Sequence, residues 1–373
     1  MLINKLKKLA KSAIVRLRSS RLKAREVRVL RGLRLKVDTA LVMPARRLAL
    51  VGCGHMGQTV AKAVDLLPGW TITALCDSRQ ASMDDLATRF APTASRHTDA
   101  ESLFASCDTF DILIIATTAP GHVPLALAAI KTGVKTILVE KPIATSIDDA
   151  RRLAAAAESA GARVAVDHTR RWVVAGDGIA RLLALGVIGR PVSVYCAPGQ
   201  GGFSMIGTHT FDFLRWILAD EPIRVRAEFD ADQVPSHRGS DFSDKSGRCE
   251  VEFRNGVRAI VDLSSKHHRP HGLTVVLGDA GRLEIDDKAG VVRLHGASGF
   301  VHELDHPWPG GQGLGVATAL VQLAGNTMIS CTVNDGARAL EVAVAANHSA
   351  RTGGGWVGLP LSPDLAAEHF AFP

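Results

Sequence analysis

The chain has 373 residues, 46% of them hydrophobic and 22% charged, which fits a soluble globular protein of two ordinary domains and excludes a fibrous or disordered chain. The net charge of +7 belongs to one end: residues 1–47 hold fifteen Lys or Arg against Glu26 and Asp38, a local +13, so the remainder carries 7 minus 13, or −6. A mildly acidic body argues against nucleic-acid binding, and no apolar run is long enough to predict a membrane-spanning helix.

Residues 1–45 form the first expected unit. Leu2, Leu6, Leu9, Ala13 and Leu17 recur at helical spacing between lysines and arginines, the pattern of a basic amphipathic helix. Three readings stand side by side. Residues 1–36 dock peripherally on an anionic membrane or an acidic partner; the segment is a functionless extension; or Met43 is the true start and what precedes it is misassigned or a targeting segment. A secretory signal is not expected, because there is no uninterrupted apolar stretch followed by a small-residue cleavage pattern.

Residues 46–168 alternate strand and helix. RLALV ends in glycines, MGQTVAKAVDLL follows as a helix and WTITALCD as a strand. DDLATRFA and AESLFAS predict short helices, DILIIAT a buried strand, GHVPLALAAIKTG a helix and KTILVEKP a strand. SIDDARRLAAAAESAG predicts a helix capped by Ser146 and stopped at Gly161, and ARVAVDH a last strand. Continuous apolar strands between helices predict a parallel sheet covered on both faces. Residues 169–373 read differently. RPVSVYC, IRVRAEFD, GRCEVEFRNG, VRAIVDLSS, LTVVLGDAG, RLEIDD and VVRLHG alternate polar with apolar residues, and turn signals at Asn255-Gly256 and Asp279 to Gly281 separate them. They predict a large, mainly antiparallel open sheet in an α+β domain, completed by two late helices, GVATALVQLAGN and GARALEVAVAANHSA.

Gly52, Gly54 and Gly57 form G-x-G-x-x-G between a strand and a helix, with His55 and Met56 inside the loop. The first glycine permits a tight turn, the second lets backbone approach a pyrophosphate, and the third lets helix and strand pack closely. The next strand ends in Asp77, twenty residues after Gly57, where a carboxylate meets ribose hydroxyls. The arrangement predicts a bound dinucleotide. Asp77 favours NAD, while Arg79 leaves NADP open by offering a partner for a 2′-phosphate.

Four motifs in order resemble the glucose–fructose oxidoreductase and inositol dehydrogenase family, Gfo/Idh/MocA: the glycine loop, ATTAPGHVPLA at 116–126, VEKPIA at 139–144 and GTHTFDFLRWIL at 207–218. DHTRRW at 167–172, GVIGRPVSV at 186–194 and NDGARALEVAVAANHSA at 334–350 resemble it more weakly. The resemblance implies an N-terminal Rossmann dinucleotide-binding domain joined to an α+β substrate and oligomerisation domain, NAD(P)-dependent oxidoreductase chemistry on a sugar-like substrate, and a homodimer or homotetramer. It implies that Lys141 and His209 are catalytic. It places Thr117, Pro120, His122, Glu140 and Lys141 beside the cofactor, and Arg170, Arg171, Thr208 and Asp212 toward substrate or its supports. A lysine held beside a nicotinamide and out of water exchanges protons near neutral pH.

Many members of the family carry an aspartate four residues before this histidine; here that residue is Met205. The small polar Thr208 before His209 resembles a branch found with sugar and surface-polysaccharide enzymes, which points to a sugar or nucleotide-linked sugar. A non-catalytic dinucleotide sensor or assembly subunit of the same fold is the alternative reading. No metal is expected: the histidine-rich stretch at 266–271 lacks carboxylates or cysteines at ligand spacing. Six cysteines without a paired spacing predict reduced, mostly buried thiols and a cytoplasmic protein.

Overall fold

The computed structural model describes residues 44–172, 174–199, 201–231, 239–264, 272–296, 301–305, 312–325 and 327–373. The amphipathic stretch 1–36 and the histidine-rich stretch 266–271 lie outside the described residues.

The first half is a parallel sheet of six strands: β1 (Arg46–Val51), β2 (Trp70–Cys76), β3 (Ser95–His97), β4 (Ile112–Ile115), β5 (Thr136–Val139) and β6 (Arg163–Val166), in the spatial order β3-β2-β1-β4-β5-β6. All five pairings are parallel, as expected from strands that are apolar along their whole length. The connecting helices are α1 (His55–Asp65), α2 (Gln80–Phe90), α3 (Ala100–Ala105), α4 (Ala119–Lys131) and α5 (Ile147–Ala160). Ser146 accepts the Asp149 N–H at the start of α5, and Gly161 ends it in the left-handed region at φ 61°. Strand order reverses between β1 and β4, so their carboxyl ends open the crevice where sheets of this kind bind ligands.

Helix α6 (Val174–Ala184), whose two glycines blunt its helical pattern in the sequence, leads to the second sheet. Its strands are β7 (Pro191–Ala197), β8 (Pro222–Phe229), β9 (Gly247–Phe253), β10 (Arg258–Asp262), β11 (Leu273–Gly278), β12 (Gly281–Asp286), β13 (Val291–Gly296), β14 (Val301–Asp305) and β15 (Val357–Gly358). Their order is β14-β13-β12-β11-β7-β10-β9-β8-β15; β10 and β7 pair parallel and every other pair is antiparallel. Alternation sorts the faces. Val194, Cys196, Ala259, Val261 and Val276 are buried on one side, while Tyr195, Ile260 and Leu277 stand exposed on the other. Around these the outer face carries arginine–carboxylate pairs such as Arg226–Glu250 and Arg258–Glu252.

Helix α7 (Thr208–Leu218) belongs to the second half, with α8 (Gln312–Ala324), α9 (Val333–Arg351) and α10 (Pro363–Ala367) following late in the chain. The late helices return to the parallel sheet. Helix α8 packs on α1, and α9 packs on α5, α7 and β8. Arg163 on β6 donates to the carbonyls of Gln322, Leu323 and Thr327 where α8 ends. Thr332 bridges to Ala165 at the sheet edge and caps α9 through a reciprocal bond with Asp335. Gly336, in the first turn of α9, lets the helix lie against Val166 and Ile143; a Cβ there would stand 2.9 Å from a Val166 methyl. Gly336→Ala therefore overpacks the joint, and a loss of about 1–3 kcal/mol is expected in urea unfolding; an unchanged midpoint would show that the joint yields.

Candidate functional site

Each strand of the parallel sheet delivers its next residues to one edge. After β1 the chain turns through Gly52 at φ 96°, where a Cβ would stand 2.5 Å from the Ala116 carbonyl oxygen. At Gly57 a Cβ would overlap the Gly52 carbonyl, so helix and turn are in contact there. Gly54 differs: among the described residues a Cβ on it would meet only the Arg79 guanidinium, at 3.9 Å, which leaves space above the loop. No side chain caps the start of α1, so its first N–H groups, with His55 and Met56 in the turn, face that space with the positive end of the helix. Asp77 ties the loop down by accepting the Cys53 and Arg79 N–H groups, each at 2.8 Å. Its side chain is 11% exposed and that of Arg79 is 72% exposed. These features fit the pyrophosphate and ribose of a dinucleotide. Cys53 is buried in the same turn, and burial pushes its thiol up to about 12, so it is inert there.

After β4 come Thr117 and Thr118, the latter preceding α4 with Pro120 in its first turn. His122 is buried and spans two loops, with Nδ1 2.8 Å from the Pro142 carbonyl oxygen and Nε2 3.2 Å from that of Thr117. It joins the cofactor-side loop to the turn after β5. That turn carries Glu140 and Lys141, followed by a cis Lys141–Pro142 bond. Lys141 reaches the second half of the molecule: its Nζ donates to the Met205 carbonyl at 3.2 Å and lies 3.9 Å from the Met205 Sδ.

Met205 sits in a π-type turn, Phe203–Gly207, that runs straight into α7. Asp244, from the loop before β9, accepts the Ser204 and Met205 N–H groups at 2.8 Å each. Burial, the largest influence on it, raises the Asp244 carboxyl above its ordinary range, against the pull of those bonds and of Lys141. Met205, four residues before His209, thus presents a backbone carbonyl to the lysine, and Asp244 from elsewhere in the chain holds that carbonyl's turn.

His209 opens α7 and keeps some exposed surface. Its ring lies 5.5 Å from that of His168, which follows β6. Burial, reinforced by the charges of Lys141, His168 and Arg170, depresses His209 well below the ordinary imidazole value. His168 has almost no exposed surface; burial pushes it down to about 4, with Asp212 opposing. Both rings are therefore neutral near pH 7.

The remaining anticipated residues face protein rather than the cleft. Asp212 has no exposed surface and takes a bidentate pair from Arg171 at 2.7 and 2.8 Å. Arg171 also pairs with Asp335 and donates to the Ser330 carbonyl. Arg170 pairs with Asp287 at 2.6 Å and lies over the Phe213 ring. The Thr208 hydroxyl is buried and donates back to the Ser204 carbonyl at 2.5 Å. The structure brings Lys141 to the turn that opens the helix of His209, where its charge acts on that ring, and sets Arg171 and Asp212 beside His168. Asp167, His168 and Asp244 complete the surroundings. For the first two the sequence signal was their place directly after a strand at the ligand-binding edge. Asp244 carries no such signal, because only folding brings its loop to Met205.

A model of the oxidoreductase family with an NAD-binding Rossmann fold matches residues 46–168, and one of the Gfo/Idh/MocA C-terminal domain matches residues 190–284. Inositol 2-dehydrogenase of Agrobacterium fabrum is 33% identical over 203 residues, 51% of this chain and 60% of that protein. D-apiose dehydrogenase of Paraburkholderia graminis is 35% identical over 265 residues, 66% of each chain. The chain thus spans somewhat less than two thirds of these two curated relatives. Among solved structures, an inositol dehydrogenase homologue from Azotobacter vinelandii with NADH and myo-inositol superimposes with a TM-score of 0.72 at 16% identity, covering 86% of this chain and 98% of that one. An oxidoreductase from Agrobacterium radiobacter with NAD+, L-tartaric acid and magnesium gives 0.73 at 22% identity, covering 84% and 98%; at such identities the likeness is one of fold. With both halves matched in order along more than half of its length, the chain belongs to the Gfo/Idh/MocA family of oxidoreductases.

Proposed function

We propose that the protein is an NAD-dependent oxidoreductase that moves hydride between the nicotinamide and a secondary hydroxyl or carbonyl of a sugar or nucleotide-linked sugar. The observation that carries this is the meeting of Lys141, from the dinucleotide-binding sheet, with the turn that opens the helix of His209. The relatives named for inositol and apiose support the substrate class. When bound, the cofactor supplies the hydride acceptor. The chain's own residues hold the substrate oxygen and move its proton. Lys141 offers ammonium donors to that oxygen, and neutral His209 accepts the hydroxyl proton as the carbonyl forms. A sensor that binds the dinucleotide without turnover is the rival reading; the Met205 carbonyl facing Lys141 is what it rests on.

Asp77 supports NAD over NADP, with the exposed Arg79 as the residue that would accommodate a 2′-phosphate. Unpaired cysteines support a reducing, cytoplasmic setting. The exposed Tyr195, Ile260 and Leu277 support self-association through the open sheet face, as a homodimer or homotetramer. The basic spacing of residues 1–36 supports peripheral contact with an anionic membrane.

Three outcomes test the reading. In fluorescence titration, Asp77→Ala weakens NADH at least roughly ten-fold, about the worth of a charge-assisted hydrogen bond, and narrows its advantage over NADPH; an unchanged ratio would move the selectivity elsewhere. In a turnover screen of inositols, pentoses and nucleotide sugars, Lys141→Ala and His209→Ala each lower kcat/KM by roughly 10²–10⁴ while NADH still binds. Wild-type turnover in Lys141→Ala would end its catalytic assignment. The pH profile follows from the His209 shift. The neutral ring is the proton acceptor and its affinity for protons is depressed, so kcat/KM for oxidation stays level as pH falls through about 6.5 and declines only below it. A decline centred at the ordinary imidazole value would contradict the buried-base assignment.

A further inference from the structure

Glu140 follows β5 and Asp167 follows β6, and the register pairs Val139 with Val166, so the two acids leave neighbouring parallel strands at the same height. The Asp167 N–H donates to the Val139 carbonyl at 2.8 Å, which fixes the spacing. Both side chains are buried, with 4% and 1% exposure. In that enclosed space the Glu140 charge acts directly on Asp167. No N–H or O–H of the described residues reaches either oxygen of Asp167.

Ionised carboxylates only accept hydrogen bonds. Two of them side by side, out of water and with no donor supplied to one of the pair, repel each other and leave lone pairs unmet. One proton between them removes both penalties, because the protonated group becomes a donor to the other. We infer that Glu140 and Asp167 share a single proton, and that the resulting singly negative acid pair positions Lys141 and balances its charge. Burial and the Glu140 charge both raise the Asp167 carboxyl well above its ordinary range, and only the Lys141 charge opposes them. Glu140 and Lys141 are thus the charged groups that act on Asp167. His168, next along the chain, lies instead toward His209 and Asp212.

Asp167 acts on Lys141 through its neighbour Glu140, whose Oε2 accepts the backbone N–H of Lys141 at 3.3 Å and so ties down the turn that carries the lysine. Asp167 is therefore a positioning residue. A pair that had lost both protons would overbalance the ammonium, and a pair with two protons would leave it uncompensated. The catalytic meaning of the pair rests on the role proposed above for Lys141; the shared proton itself does not.

Infrared difference spectroscopy on the full chain at pH 7, without cofactor or substrate, tests the shared proton apart from turnover. The wild-type protein should show a protonated-carboxyl band that disappears in Asp167→Asn and equally in Glu140→Gln, since each amide donates to the remaining carboxylate in place of the proton. An acid protonated independently would lose its band in one variant only. Absence of the band in the wild type, or its survival in either variant, overturns the inference. Thermal unfolding gives a second reading. The folded pair holds its proton more tightly than the unfolded chain does, so its stabilisation is full at low pH and is lost as pH rises. Asp167→Asn, which cannot ionise, should therefore gain in Tm relative to wild type between pH 5 and pH 8, and an equal difference at both values would overturn the proposal. Circular dichroism reports whether each variant folds; if Asp167→Asn does not, the wild-type band and Glu140→Gln decide.

Discussion

Asp212 fixes where the two halves of the cleft stand. Its carboxylate is fully enclosed, and it is gripped by Arg171, which follows the last strand of the parallel sheet. Arg215, one turn along α7, approaches it at 3.5 Å, and Asp335 at the start of α9 pairs with Arg171. Three elements from distant parts of the chain therefore meet in one charge cluster around Asp212 and Arg171. Removing one partner from such a group typically costs about 3–5 kcal/mol, whereas replacing the whole network by apolar side chains is often neutral. Stability alone is thus a weak reason for the network. Placement is the better one: the carboxylate lies 3.7 Å from His168, whose ring in turn lies against that of His209.

The parallel sheet supplies the other half of the arrangement. Its strands end at one edge, so the residues after them converge although they are far apart in sequence. The glycine turn, Lys141, and the Asp167–His168 pair all arrive this way. The electrostatics follow from enclosure. Burial drives both histidines toward the neutral form and Asp167 toward the protonated form, while the arginines behind them remain matched to carboxylates. Two neutral imidazoles beside a lysine are what the proposed proton transfer from an alcohol requires.

Much of this was legible before folding. The alternation of apolar strands and helices announced the parallel sheet, because a strand buried on both faces has no polar positions to alternate. The Asn255-Gly256 turn and the polar alternation around it announced the second sheet for the opposite reason. Short or weakly patterned pieces were not legible: β3 is three residues long, β14 is a five-residue edge strand, and α6 contains two glycines that blunt its helical signal. In the site, Lys141 and His209 stood out through motif order. The directions of Arg170, Arg171 and Thr208 did not, since an arginine after a strand reads the same whether it meets substrate or Asp287.

The sequence by itself determined the dinucleotide-binding turn, the family and the two kinds of sheet. These rest on local spacing: glycines where a side chain would collide with neighbouring backbone, a carboxylate twenty residues on, and hydrophobic periods of fixed length. Tertiary structure decided what Met205 means. Only the packed joint shows that its carbonyl meets Lys141 and that Asp244, nearly forty residues later, holds the turn in place. Only burial, which depends on every element around the cleft, could decide that the two histidines are neutral and that Asp167 faces another acid.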